Sequence, residues 1–147
     1  MNSSHIVIIG GGISGISCAQ TLAQECPQIA ITLISASDLL KVASNVKSKG
    51  INLEEFDVIQ ETHEFLEENY PNIKVMLDLV VELEAQAHRI FLLKHGILNY
   101  DKLCICSGGE PKLISNDCPN YVLGIRDTNT VMELQSRIKN SNRVVGT

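Results

Sequence analysis

A short apolar strand that runs directly into glycines spaced G-x-G-x-x-G leaves a chain few folds to adopt. Residues His5 to Gly15 read H-I-V-I-I-G-G-G-I-S-G, and Gly10, Gly12 and Gly15 carry the spacing. Each glycine has its own task. The first permits a tight turn out of the strand, the second lets a pyrophosphate reach the backbone, and the third lets the following helix pack close to the strand. Phosphates then rest on free N–H groups at the helix N-terminus, where the helix dipole favours negative charge. The motif predicts a bound dinucleotide without saying which one.

The surrounding residues supply the context that the motif needs. Ile6 to Ile9 is a β-branched run suited to a strand buried on both faces. Ile13, Ile16, Ala19 or Gln20, and Ala23 fall at helical spacing, with Cys18 and Leu22 widening the apolar face, and Pro27 closes the helix. A second apolar run, Ile29 to Ile34, reads as the next parallel strand and completes a βαβ unit of about thirty residues. At the end of that strand the fingerprint expects Asp or Glu to bind a ribose hydroxyl. Ser35 stands there instead, and Asp38 lies three residues on. A serine hydroxyl bonds ribose more weakly than a carboxylate does. No arginine follows to hold a phosphorylated ribose, so this strand alone leaves the cofactor open.

With 147 residues and 44% hydrophobic content, the chain is long enough for one domain with its own core. A net charge of −5 without a basic cluster argues against nucleic acid and anionic membranes as partners. No apolar run approaches transmembrane length, and the first residues lack the pattern of a signal or transit peptide. Five cysteines, at 18, 26, 104, 106 and 118, are odd in number and contain no C-x-x-C pair. That usage fits a reducing, intracellular compartment, cytoplasmic or nuclear. Cys104 and Cys106 share one face of an apolar strand and read as buried core thiols; an i, i+2 disulfide there is poorly accommodated. No metal site is expected.

Beyond Ser35 the pattern predicts a polar connection to Gly50 and a charged helix from Leu53 to Tyr70. Phe56, Ile59, His63 and Leu66 would form the stripe of that helix, and Pro71 would end it. Strand-like runs follow at Ile73–Leu77, Leu79–Leu83 and Ile90–Lys94, with a turn around Gly96. Leu103 to Cys106 reads as a further buried strand ending at Ser107-Gly108-Gly109. Thr128 to Ile138 reads as a helix capped by Asp127 or Thr128, and Arg143-Val144-Val145 as the start of one more strand. His63 and His88 are expected to be surface or core histidines, not catalytic ones. A βαβ unit followed by a β-meander and a strand ending in small residues departs from a simple NAD domain, which would continue βαβ.

Tyr100-Asp101-Lys102-Leu103-Cys104-Ile105-Cys106-Ser107-Gly108-Gly109-Glu110-Pro111 resembles the Y-D-x-L-hydrophobic-hydrophobic-A-T-G-x-x-P segment of the FAD-containing pyridine nucleotide-disulfide oxidoreductases. Cys106-Ser107-Gly108 takes the place of A-T-G. Two such motifs in the right order are far more specific than the glycines alone. Gly124-Ile125-Arg126-Asp127-Thr128 is similar to the segment leading into that group's NAD(P)H domain. The stretches at 52–58, 71–75, 102–114 and 121–128 extend the likeness over nearly the whole chain, and a small residue at 35 is in the style of one subfamily.

The resemblance implies an α/β fold: a Rossmann-like FAD-binding domain with a parallel sheet, helices and a small antiparallel β-meander, incomplete in this chain. Residues 1–142 would be the N-terminal part of the FAD/NAD(P)-binding domain and 143–147 the start of a missing NAD(P)H domain. Gly10, Gly12, Ile13, Ser14 and Gly15 would hold the FAD pyrophosphate, and Ser35 would lie by the adenosine ribose. Lys41 would reach the phosphates or remain a solvated surface lysine. Val80 would offer backbone groups to adenine or merely pack. Ser107 and Gly108 would approach the cofactor at the carboxyl edge of the sheet. The implied activity is hydride transfer from NAD(P)H to FAD and electron transfer onward to an acceptor that the sequence does not identify. The group's redox cysteine pair follows the second strand, yet residues 35–61 contain no cysteine. Dithiol exchange by that route is therefore excluded. The chain also has no second glycine fingerprint, so it is expected to be inactive alone. The alternative is a non-catalytic truncated domain with weak or no FAD binding.

Overall fold

The computed structural model describes residues 4–51, 54–115, 117–118, 120–125 and 128–146. In chain order the elements are β1 (His5–Ile9), α1 (Ile13–Glu25), β2 (Ala30–Ser35), β3 (Leu39–Ser48), β4 (Glu54–Thr62), α2 (His63–Asn69), β5 (Ile73–Leu77) and β6 (Val80–Glu84). A 3-10 turn at Ala85–Ala87, β7 (Arg89–Leu92), β8 (Gly96–Asn99), β9 (Lys102–Ile105) and α3 (Thr128–Lys139) complete them. The chain divides into two compact units, residues 1–108 and 109–147.

The first unit is built on a parallel sheet in the order β5-β2-β1-β9. β1 is central, with Val7 opposite Thr32 on one side and Leu103 on the other. Alternate residues along a strand face opposite sides of the sheet. Ile6, Ile8, Ile31, Leu33 and Ile73 therefore pack toward Ile16, Ala19 and Ala23 of α1, together with Leu40 and Leu66. Val7 and Ile34 face the other way, onto Ile90, Leu92 and Tyr100. That second layer belongs to the antiparallel sheet β6-β7-β8. Burial on both faces explains why β1 reads as an unbroken apolar run.

Several elements differ from the sequence expectation. Leu39–Ser48 is a strand and not a polar connection, and the Leu53–Tyr70 region is not one helix. β3 and β4 pair antiparallel, with Val42 opposite Ile59 and Ala43 opposite Val58. Phe56, Val58 and Ile59 are good strand residues once a partner strand exists, and pairing overrides the weak helical stripe. The helix begins only at His63, where the Thr62 hydroxyl accepts the Phe65 N–H at 3.4 Å as an N-cap. Of the expected stripe, Leu66 alone reaches the core. Leu53 itself lies outside the described residues.

Ile73–Leu77 joins the parallel sheet beside β2 and is not part of the meander. Gly96 opens β8 after a turn at 93–95, and takes φ +75° there. β9 is an edge strand with Ile105 60% exposed, so it is less buried than expected.

In the second unit, α3 covers the expected helix, while its expected cap Asp127 lies outside the described residues. Arg137 donates to the Asn120 carbonyl at 3.0 Å and pairs with Glu133 one turn back. Residues 143–146 form no strand. No helix among the described residues is long and apolar enough to cross a membrane.

Candidate functional site

The carboxyl ends of β1, β2, β5 and β9 lie at one edge of the parallel sheet, and the glycine loop fills that edge between β1 and α1. Gly10 donates its N–H to the Ile34 carbonyl at 2.8 Å and takes φ +117°, a conformation that L side chains rarely adopt. A Cβ at Gly10 would overlap the Cys106 carbonyl oxygen, and one at Gly15 would overlap the Gly10 carbonyl oxygen. At Gly11 it would strike the Ser35 hydroxyl and approach Leu40 Cδ2 to 2.9 Å. At Gly12 it would meet nothing within 4 Å. The loop is thus walled by the protein at Gly10, Gly11 and Gly15 and faces open space at Gly12.

Gly12 is also the N-cap of α1 and provides no side-chain cap. The ladder begins with Ile16 N donating to Gly12 O at 3.0 Å, so the N–H groups of Ile13, Ser14 and Gly15 precede it. The first turn holds no acidic residue. Together these features leave main-chain donors at an uncapped helix N-terminus beside open space, an arrangement suited chemically to an anionic group.

The other expected site residues are distributed around this loop. Lys41, half-buried on β3, donates its backbone N–H to Gly11 O at 3.0 Å, so the ribbon is stitched to the loop. Ser107 and Gly108 follow β9 after Cys106, whose N–H donates to Ile9 O at 2.7 Å, and Gly108 takes φ +75°. Ser35 is buried beneath Gly11, with its hydroxyl committed to a local turn. It donates to Ser37 O at 2.7 Å and accepts from Ser37 N at 3.2 Å. Val80 lies in the antiparallel sheet, half-buried on β6 and packed with the second core layer. Both expected non-catalytic histidines have structural contacts. His63 Nε2 is 3.2 Å from the Ser37 carbonyl, and His88 stacks on Tyr100 at 5.5 Å between ring centroids.

One residue of this edge escaped the sequence reading. Asp78 sits between two apolar runs, and its side chain is fully buried. Burial raises its pKa, but hydrogen bonds from His95 Nδ1 and from the N–H groups of Leu79, Lys94 and His95 outweigh burial and bring it to about 2. Its own N–H donates to Ser35 O at 2.9 Å, so this carboxylate fixes the 93–95 turn of the meander to the end of β2. A lone acidic residue inside V-M-L-D-L-V-V was the signal available.

Known proteins bear out the family resemblance. The family model described as pyridine nucleotide-disulphide oxidoreductase matches residues 4–146. Pyridine nucleotide-disulfide oxidoreductase domain-containing protein 1 of Danio rerio is 43% identical over 139 residues, which is 95% of this chain and 28% of that protein. The chain therefore spans about 28% of the length of that relative. Among solved structures, the sulfide:quinone oxidoreductase of Aquifex aeolicus superposes with a TM-score of 0.70 at 23% identity, over 94% of this chain and 32% of that one. A ferredoxin reductase from Rhodopseudomonas palustris gives 0.69 at 19% identity, over 94% and 35%. These two share the Rossmann-like fold of a parallel sheet with helices and antiparallel sheets. The match runs through both the glycine loop and the Tyr100–Pro111 segment, and the chain belongs to the pyridine nucleotide-disulphide oxidoreductase family.

Proposed function

We propose that this chain is the FAD-binding portion of a flavin-dependent NAD(P)H oxidoreductase. The observation that carries the reading is the opening at Gly12 in a loop otherwise closed by the protein. A pyrophosphate would lie there, because the backbone at Gly12 faces open space and α1 begins there with no side-chain cap. The N–H groups of Ile13, Ser14 and Gly15 would bind it, with Ser107 and Gly108 on the β9 side and Lys41 on the ribbon side. Ser35 would act by shaping the 35–37 turn beside the ribose, since its hydroxyl is already engaged. Val80 would present backbone groups toward adenine.

When bound, FAD would supply hydride acceptance from NAD(P)H and delivery of electrons to an acceptor, and the protein would bind and orient it. Residues 35–61 lack cysteine, so a dithiol in that segment takes no part. The isolated chain carries one glycine fingerprint and is expected to oxidise no NAD(P)H.

The test is reconstitution of the purified chain with FAD, gel filtration and a flavin absorbance spectrum. Co-elution of FAD with the chain, lost in Gly12→Val, is the expected result. Folded chain that elutes without flavin supports the alternative of a non-catalytic domain. Flavin retained equally by Gly12→Val places the pyrophosphate elsewhere.

A further inference from the structure

Three of the five cysteines gather where α1 passes β9. Cys18 is on the second turn of α1, and its thiol donates to Cys104 Sγ at 3.7 Å. Cys104 Sγ is 3.6 Å from Cys106 Sγ. All three pack, half-buried, against the core layer under α1. The dinucleotide reading uses none of these sulfurs.

We propose that Cys18 and Cys104 are a peroxide-oxidisable dithiol whose disulfide ties α1 to β9 beside the glycine loop. Geometry selects the pair. Cys104 is the sulfur within contact of both others. Its neighbour Cys106 is two residues along the same extended backbone, an arrangement that fits disulfide geometry poorly. Cys18 comes from a different element and approaches Cys104 directly.

The chemistry balances with one peroxide. One sulfur attacks a peroxide oxygen, the O–O bond breaks, and a sulfenic acid and one water result. The second sulfur displaces the sulfenic oxygen as a second water while the S–S bond forms. The two sulfurs lose two electrons, the peroxide gains them, and both thiol protons end in water. Burial first, and then the hydrogen bond to Cys104, push the Cys18 thiol up to about 11. Oxidation accelerates as pH rises, because thiolate is the nucleophile.

The bond would join the second turn of α1 to β9. Gly15 is one turn back on that helix, against Gly10 O and 3.4 Å from Cys106 Cβ at the position a Cβ would take.

The test treats the whole chain with hydrogen peroxide, blocks remaining thiols with iodoacetamide and digests with trypsin without reductant. The first tryptic site is Lys41, and Lys102 and Lys112 bound a second peptide, so the expected product joins residues 1–41 to 103–112. Fragmentation should assign the bond to Cys18 and Cys104, and dithiothreitol should reverse it. Cys18→Ser should abolish the link and Cys106→Ser should keep it. Sulfinic or sulfonic cysteines without a link, or a link through Cys26, Cys106 or Cys118, overturn the proposal. No nucleotide enters this readout, so its outcome is separate from that of FAD binding.

Discussion

β1 and the β3–β4 ribbon both border the glycine loop, yet they are held by different forces. In β1, Val7 and Ile8 are fully buried on opposite faces, one against each core layer. The ribbon pairs mainly with itself and leaves Val46, Phe56, Val58 and Ile59 exposed. Its ties to the rest of the unit include buried Leu40 and the bond from Lys41 N to Gly11 O. One region is fixed by apolar burial and the other by cross-strand pairing, which contributes only a few tenths to about 1 kcal/mol per pair. The loop is therefore anchored firmly on its β1 side and lightly on its ribbon side.

The largest effect that sharpens this contrast is expected at Gly10. Gly10→Ala forces a side chain into φ +117° and onto the Cys106 carbonyl. A loss of about 3 kcal/mol or more is expected, read as a lower urea midpoint. Next comes a paired truncation. Ile8→Ala removes a fully buried side chain and should cost about 2–5 kcal/mol, whereas Ile59→Ala on the ribbon should cost about 1 kcal/mol or less. Equal losses in the two variants would erase the distinction between the regions.

Asp78 extends the firm side of the comparison toward the meander. Its folded pKa of about 2 lies below the ordinary carboxylate value near 3.8. A depressed carboxylate stabilises the fold above its unfolded pKa and loses that contribution as pH falls through the folded one. Wild type should exceed Asp78→Asn in melting temperature at pH 7, and the gap should narrow between about pH 4 and pH 2. A gap independent of pH would assign the loss to packing and not to the carboxylate. A similarly small effect is expected at the ribbon's exit. Thr62→Ala removes the α2 cap and should cost about 1 kcal/mol in chemical denaturation.

The same contrast explains what the residues disclosed before the structure. β1, α1 and β2 were legible because local pattern and burial agree: Ile6 to Ile9 is apolar on both faces, and Ile16, Ala19 and Ala23 repeat at helical spacing. The ribbon was not, because no periodicity within Leu39–Ser48 reveals its partner strand further down the chain at Glu54–Thr62. Phe56, Ile59, His63 and Leu66 lie at helical spacing, and pairing with β3 decides against it for the first two. Within the candidate site, the glycines and Cys106–Gly108 were legible as motifs. The commitment of the Ser35 hydroxyl to Ser37 and the burial of Asp78 depend on contacts made only when the chain folds.

The central claim is that the opening at Gly12 receives a dinucleotide pyrophosphate. It is tested most directly by amide NMR of the isotopically labelled chain during titration with FAD. The largest shifts are expected at Gly12, Ile13, Ser14, Gly15, Ser107 and Gly108, with saturation abolished by Gly12→Val while the melting temperature holds. Saturable shifts centred away from these residues, or unchanged titration of Gly12→Val, would contradict it.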